Sequence, residues 1–78
     1  MRHSPKAIEL GIVLHEARLR AGLTLREVEA AAGISNAYIS QMESGYICEP
    51  SPFVLKKLSK VYRFSYRKLF DAVGYPRP

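Results

Sequence analysis

Residues 24 to 45 read TLREVEAAAGISNAYISQMESG, and two short helical patterns lie within them. Thr24 followed three residues later by Glu27 is a capping box, in which side chains satisfy backbone N–H groups that a helix start leaves free. Val28 and Ala32 then recur at helical spacing. Gly33 stands where this helix must stop, in a place that glycine alone takes cheaply when φ is positive. Ile34 is apolar, and Ser35 can cap a second helix. That helix turns Ile39 and Met42 inward and ends at Gly45. Two helices of about two turns each around a short glycine turn make a helix-turn-helix unit.

What such a unit does depends on the residues outside its core stripe. On the second helix these are Asn36, Ala37, Tyr38, Ser40, Gln41 and Ser44. Asn and Gln can each present a donor and an acceptor to an adenine edge in the major groove of DNA, and Ala can touch a thymine methyl. An α-helix fits that groove, and its N-terminal end reads bases. A helix meant only for solvent usually carries Lys and Glu pairs. This one is small, polar and nearly uncharged, which suits close approach to another surface. The competing expectation is a short solvated helix in an ordinary bundle.

The rest of the chain bounds these expectations. At 78 residues it holds one domain with a limited core, expected to span residues 1–78. Cys48 is the single cysteine, which excludes an internal disulfide and a cysteine-based zinc site and fits a reducing compartment. There is no continuous apolar run of membrane-spanning length, and MRHSPKAIEL lacks the apolar run of a signal peptide. The expected location is the cytoplasm of a bacterial, archaeal or phage-infected cell. The chain could equally be an excised domain of a longer protein.

Net charge is +5 and the sequence pI is near 9.7, a balance that draws polyanions without identifying one. Residues 53 to 78 hold seven basic groups against the single acid Asp71, whereas residues 1 to 52 hold five basic groups against six acidic ones. The positive field therefore sits on the last third, where it either contacts phosphate or keeps a face solvated.

Five helical segments are expected and no strand alternation is found. Helix 1 runs from about Lys6 to Arg20, with Leu10, Leu14 and Ala17 on one face and Gly22 beyond its end. The next two run from about Leu25 to Ala32 and from about Asn36 to Ser44. YICEPS is extended, because a residue before proline avoids helix. Ser51 caps helix 4, with Pro52 in its first turn, and Phe53, Leu55, Leu58 and Tyr62 are its apolar positions. Ser65 caps helix 5, which carries Leu69, Phe70 and Val73 to Gly74. The fold class is all-α.

With these elements placed, the chain resembles the Xre/Cro-type helix-turn-helix family of phage and bacterial repressors over about residues 8 to 75. The matching features are Arg18, Gly22-Leu23-Thr24, Gly33, Ile34-Ser35, Ile39-Ser40, Glu43-Ser44-Gly45 and Pro50. Each is weak alone; in order and correctly spaced they are strong together. The resemblance implies a compact five-helix lambda-repressor-like domain that binds double-stranded DNA as a transcriptional regulator, of which repression is the commoner outcome. It implies an ion pair between Arg18 and Glu43 that ties helix 1 to the end of helix 3. Base-reading positions fall on Asn36, Ala37 and Gln41, and backbone-contacting positions on Ser35, Tyr38, Ser44, Tyr46 and Lys56.

Three residues depart from the family pattern. Leu25 stands where many members place a phosphate-contacting Gln. Glu29 stands where a small residue lets helices 2 and 3 approach, so its carboxylate must reach outward or the helix angle must open. Arg63 stands where Gly often follows helix 4, so its backbone is strained or the helix ends differently.

The remaining chemistry-bearing residues suggest no catalysis. His15 reads as a surface histidine, and His3 lies near the N-terminus. Cys48 has no metal-spaced neighbours, although an exposed thiolate can act as a redox sensor. No nucleophile–base–orienter set exists, and no cofactor or metal is expected. Ile8, Ile12 and Leu19 form a second apolar stripe on helix 1, covering the C-terminal helix and Tyr75 or contacting another chain. Tyr62, Tyr66, Phe70 and Tyr75 give the C-terminal third much aromatic surface, and a homodimer interface including Tyr66, Phe70 and Tyr75 is expected. A palindromic operator would suit that dimer. The alternatives are an antitoxin or restriction-modification controller that binds its own operator and a protein partner, and an interaction module that has lost DNA binding.

Overall fold

A computed structural model of the chain describes residues 5–47 and 50–73. His3, Cys48 and Tyr75 lie outside the described residues. Five helices follow one another: α1 (Pro5–Ala21), α2 (Leu25–Ala32), α3 (Asn36–Glu43), α4 (Pro52–Tyr62) and α5 (Tyr66–Val73). The expected boundaries agree to within a residue, and no strand occurs among the described residues.

Local chemistry sets the ends. The Thr24 hydroxyl accepts from the Glu27 N–H at 3.1 Å, and the Thr24 N–H donates to the Glu27 carboxylate at 2.8 Å, completing the capping box. Gly33 adopts φ 71° and its N–H donates to the Glu29 carbonyl at 2.8 Å, closing α2 in the left-handed region. The Ser35 hydroxyl then accepts from the Tyr38 N–H at 3.1 Å and starts α3. Ser51 caps α4 through the Phe53 N–H, with Pro52 leading the helix.

Arg63 closes α4 with φ 54° and ψ 45°. Of the two outcomes open at this position, the structure shows the strained one: Arg63 is the one described non-glycine residue with positive φ. Its N–H donates to the Lys60 carbonyl at 3.3 Å, so the helix ends as it would on a glycine, with a side chain crowding the carbonyl.

The core gathers one stripe from each helix. Leu10, Leu14, Val28, Ile39, Met42, Leu55, Leu58 and Leu69 are all but inaccessible to solvent. Burying each such side chain contributes about 1.5–3 kcal/mol. α1 packs against α3, α4 and α5, while α2 packs against α3 and α4. Gly11 permits a close approach of α1 to α3. A Cβ there would lie 2.5 Å from the Glu43 carbonyl oxygen and 2.7 Å from that of Met42. Any larger residue would push α3 away from α1.

Two expectations are corrected. Tyr62 is buried in the core rather than part of an aromatic surface. Ile8, Ile12 and Leu19 are 43%, 53% and 57% exposed, so this stripe does not cover α5. α1 packs against α5, and its buried residues include Leu10 and Leu14. Among the described residues no helix is long and apolar enough to cross a membrane.

Candidate nucleic-acid interface

α3 is held by its inner face and capped at both ends. Ile39 and Met42 anchor it in the core. On the outer side Ala37, Gln41 and Ser44 are exposed, at a spacing that puts them in one row along the helix. None of them carries charge. The one charged residue of α3, Glu43, is turned away from this row and into an ion pair.

That pair joins α1 to α3. Arg18 Nε donates to Glu43 Oε2 at 2.7 Å and Nη2 donates to Oε1 at 3.0 Å, a two-pronged contact. Nη1 donates to the Leu23 carbonyl at 2.9 Å, which also ties down the turn before α2. His15, expected to be a plain surface residue, places Nδ1 2.8 Å from Glu43 Oε1. Burial by itself would raise the Glu43 carboxyl. The hydrogen bonds and charges of Arg18 and His15 outweigh it and hold the carboxyl below its ordinary value. The hydrogen bond to Glu43 likewise raises Arg18. Arg18 is thus committed to holding α3 in place.

Asn36, at the first position of α3, is half-buried, and its side-chain amide donates to Glu29 Oε1 at 2.7 Å. The larger residue at position 29 is accommodated by reaching across the turn to α3. The sequence left this arrangement undetermined, because the two residues belong to different helices. Leu25 is half-buried against the core, so its side chain serves packing.

Among the expected backbone-contacting residues, Ser35 caps α3 and keeps its O–H as a donor. Tyr38 is half-buried against the core, whereas Ser44, Tyr46 and Lys56 are exposed. The structure adds Lys57. Its ammonium donates to the Ala32 carbonyl at 3.2 Å and lies 4.9 Å from the centre of the Phe53 ring. Lys57 therefore sits against the turn between α2 and α3, while Lys56 and Lys60 are exposed on the same helix. The excess of lysine in the last third was visible in the sequence; the place of Lys57 at the turn was not.

Tyr66 and Phe70 lie with ring centroids 5.8 Å apart, and both are half-buried. Among the described residues no group of three His, Cys, Asp or Glu side chains is arranged to hold a metal.

Two capped helices around a left-handed glycine, with an uncharged polar row on the second, define a helix-turn-helix domain, a DNA-binding class rather than an enzymatic one. A family model described as helix-turn-helix matches residues 14–69. The chain is 37% identical over 65 residues to the uncharacterized HTH-type transcriptional regulator RghRB of Bacillus subtilis, covering 83% of this chain and 47% of that protein. It is 32% identical over 63 residues to the HTH-type transcriptional regulator SlrR of the same organism, covering 81% and 41%. The crystal structure of the clp gene regulator ClgR from Corynebacterium glutamicum superposes with a TM-score of 0.77 at 26% identity, covering 92% of this chain and 91% of that one. The chain belongs to the Xre/Cro-type helix-turn-helix family. It spans less than half the length of the two Bacillus relatives.

Proposed function

We propose that the chain is the DNA-reading domain of a sequence-specific transcriptional regulator, acting as a repressor in the cytoplasm. The observation that carries this is the uncharged exposed row Ala37, Gln41 and Ser44 on an α3 anchored in the core and tied to α1, with Lys57 of α4 against the turn. α3 lies in the major groove. Gln41 and Asn36 hydrogen-bond to base edges, and Ala37 contacts a thymine methyl. Ser35, Tyr38, Ser44, Tyr46 and Lys56 contact the sugar-phosphate backbone, which sets register without reading sequence.

A homodimer forms through α5, with Tyr66, Phe70 and Tyr75 at its interface, and presents two α3 helices to half-sites about one helical turn apart. Tyr66, Arg67, Phe70 and Asp71 line an open groove on α5, which supports an interface there.

Selection from a random duplex DNA library at two salt concentrations tests the proposal. An enriched palindrome with half-sites about 10 bp apart is the expected result. Binding that enriches no sequence and vanishes as salt rises would reduce the interaction to lysine–phosphate attraction. That outcome would favour the interaction module that has lost DNA binding.

A further inference from the structure

The contact between Glu29 and Asn36 has a chemical direction. A carboxylate offers acceptors only, so the amide nitrogen of Asn36 must face Glu29, as the 2.7 Å hydrogen bond from Nδ2 to Oε1 requires. An unconstrained asparagine can present either its nitrogen or its oxygen after a half-turn of the amide. Here the half-turn would set Oδ1 against a carboxylate oxygen, and that repulsion forbids it. Oδ1 is thereby turned away from the Glu29 carboxylate, with the second Nδ2 proton still available.

We infer that Glu29 is a specificity-determining positioning residue, which fixes the Asn36 amide so that Asn36 selects adenine over guanine at one base pair of each half-site. Adenine presents an N6 amino donor beside the N7 acceptor, matching Oδ1 and the remaining N–H. Guanine presents two acceptors, O6 and N7, and sets O6 against Oδ1. Glu29 adds its own negative charge near the same edge, which further disfavours an acceptor there. The inference rests on the proposed placement of α3 in the major groove.

Three variants beside the parent protein test it by duplex-library selection, with thermal melting followed by circular dichroism to verify that each folds. Asn36→Ala identifies the base pair that Asn36 reads. Glu29→Gln is isosteric but can meet either end of the amide, so adenine preference at that base pair should fall about tenfold while the other positions keep theirs. Glu29→Ala should do the same. A contact that only joined α2 to α3 would lower the melting temperature and leave the preference intact. Unchanged adenine preference in both Glu29 variants would overturn the inference and leave the DNA-reading proposal standing. A parent motif unaffected by Asn36→Ala would also overturn it. A parent protein that enriches no sequence would sink the DNA-reading proposal and this inference together.

Discussion

The Arg18 guanidinium meets the Glu43 carboxylate through two hydrogen bonds of 2.7 and 3.0 Å, and the two side chains retain 11% and 8% of their exposure. This joins the last turn of α1 to the last residue of α3 across 25 positions of sequence. Removing either partner leaves the other charge half-desolvated without compensation. Arg18→Ala or Glu43→Ala should each destabilise the fold by about 3 kcal/mol, measured by urea denaturation. The double variant should cost less than the sum of the singles, because the second substitution removes a charge already orphaned.

The same pair makes stability depend on acid. The folded Glu43 carboxyl titrates below its ordinary value of 4.5. Its contribution is therefore complete above that value and is lost as pH falls through the lower folded one. A series of melts from pH 6 to about pH 2 should show a steeper loss in the parent than in Glu43→Gln. Equal slopes would mean that other carboxylates govern acid unfolding.

Gly11→Ala should destabilise, although alanine is the better helix former by about 1 kcal/mol. The new Cβ would stand 2.5 Å from a backbone oxygen of α3, which cannot rotate away as a side chain would. A net loss of about 1–3 kcal/mol is expected from thermal melts. A stabilised variant would show that α1 and α3 are farther apart in solution.

Arg63→Gly should stabilise the domain. The left-handed backbone at Arg63 costs an ordinary L-residue about 1 kcal/mol, which glycine avoids. Part of this gain is offset by the freer unfolded chain. A rise of a few degrees in melting temperature with unchanged DNA affinity is the expected outcome, and no rise would show the turn to be unstrained.

Tyr62 is 6% exposed, and its hydroxyl finds no hydrogen-bond partner among the described residues. Burial, with the Glu43 charge adding to it, pushes the phenol up to about 12. Tyr62→Phe removes this orphaned group while keeping the ring, so it should leave stability unchanged or raise it by about 1 kcal/mol. The folded phenol holds its proton more tightly than the unfolded one, so stability falls as pH rises from about 10 toward about 12. The variant should lose that component of alkaline unfolding, which melts across this range would read directly.

Gln41→Ala should cost about 1–3 kcal/mol of operator affinity and relax specificity at one base pair. Gln41 is exposed on α3, so folding should be unaffected. Binding titrations against the selected operator decide the matter, and unchanged affinity would remove Gln41 from the base-reading set.

The sequence by itself determined the local architecture, because local chemistry dictates it. Thr24 and Glu27 mark the start of α2, Gly33 its end, Ser35 the next start, and Ser51 with Pro52 the start of α4. Each signal acts within about four residues, so a linear reading recovers it. Helical period put Ala37, Gln41 and Ser44 outside the core stripe of α3, but together with Asn36, Tyr38 and Ser40, which are half-buried in the structure. The Arg18–Glu43 pair was legible through family resemblance alone.

Tertiary structure decided what depends on distant segments meeting. It brought His15 onto Glu43, set Glu29 against Asn36 across the turn, and placed Lys57 on the last carbonyl of α2. It buried Tyr62 while leaving Ile8, Ile12 and Leu19 exposed, although all are apolar enough for a core. Composition does not separate these cases. A core holds only the face of each helix that its neighbours can cover, and the packing angles of the helices select that face.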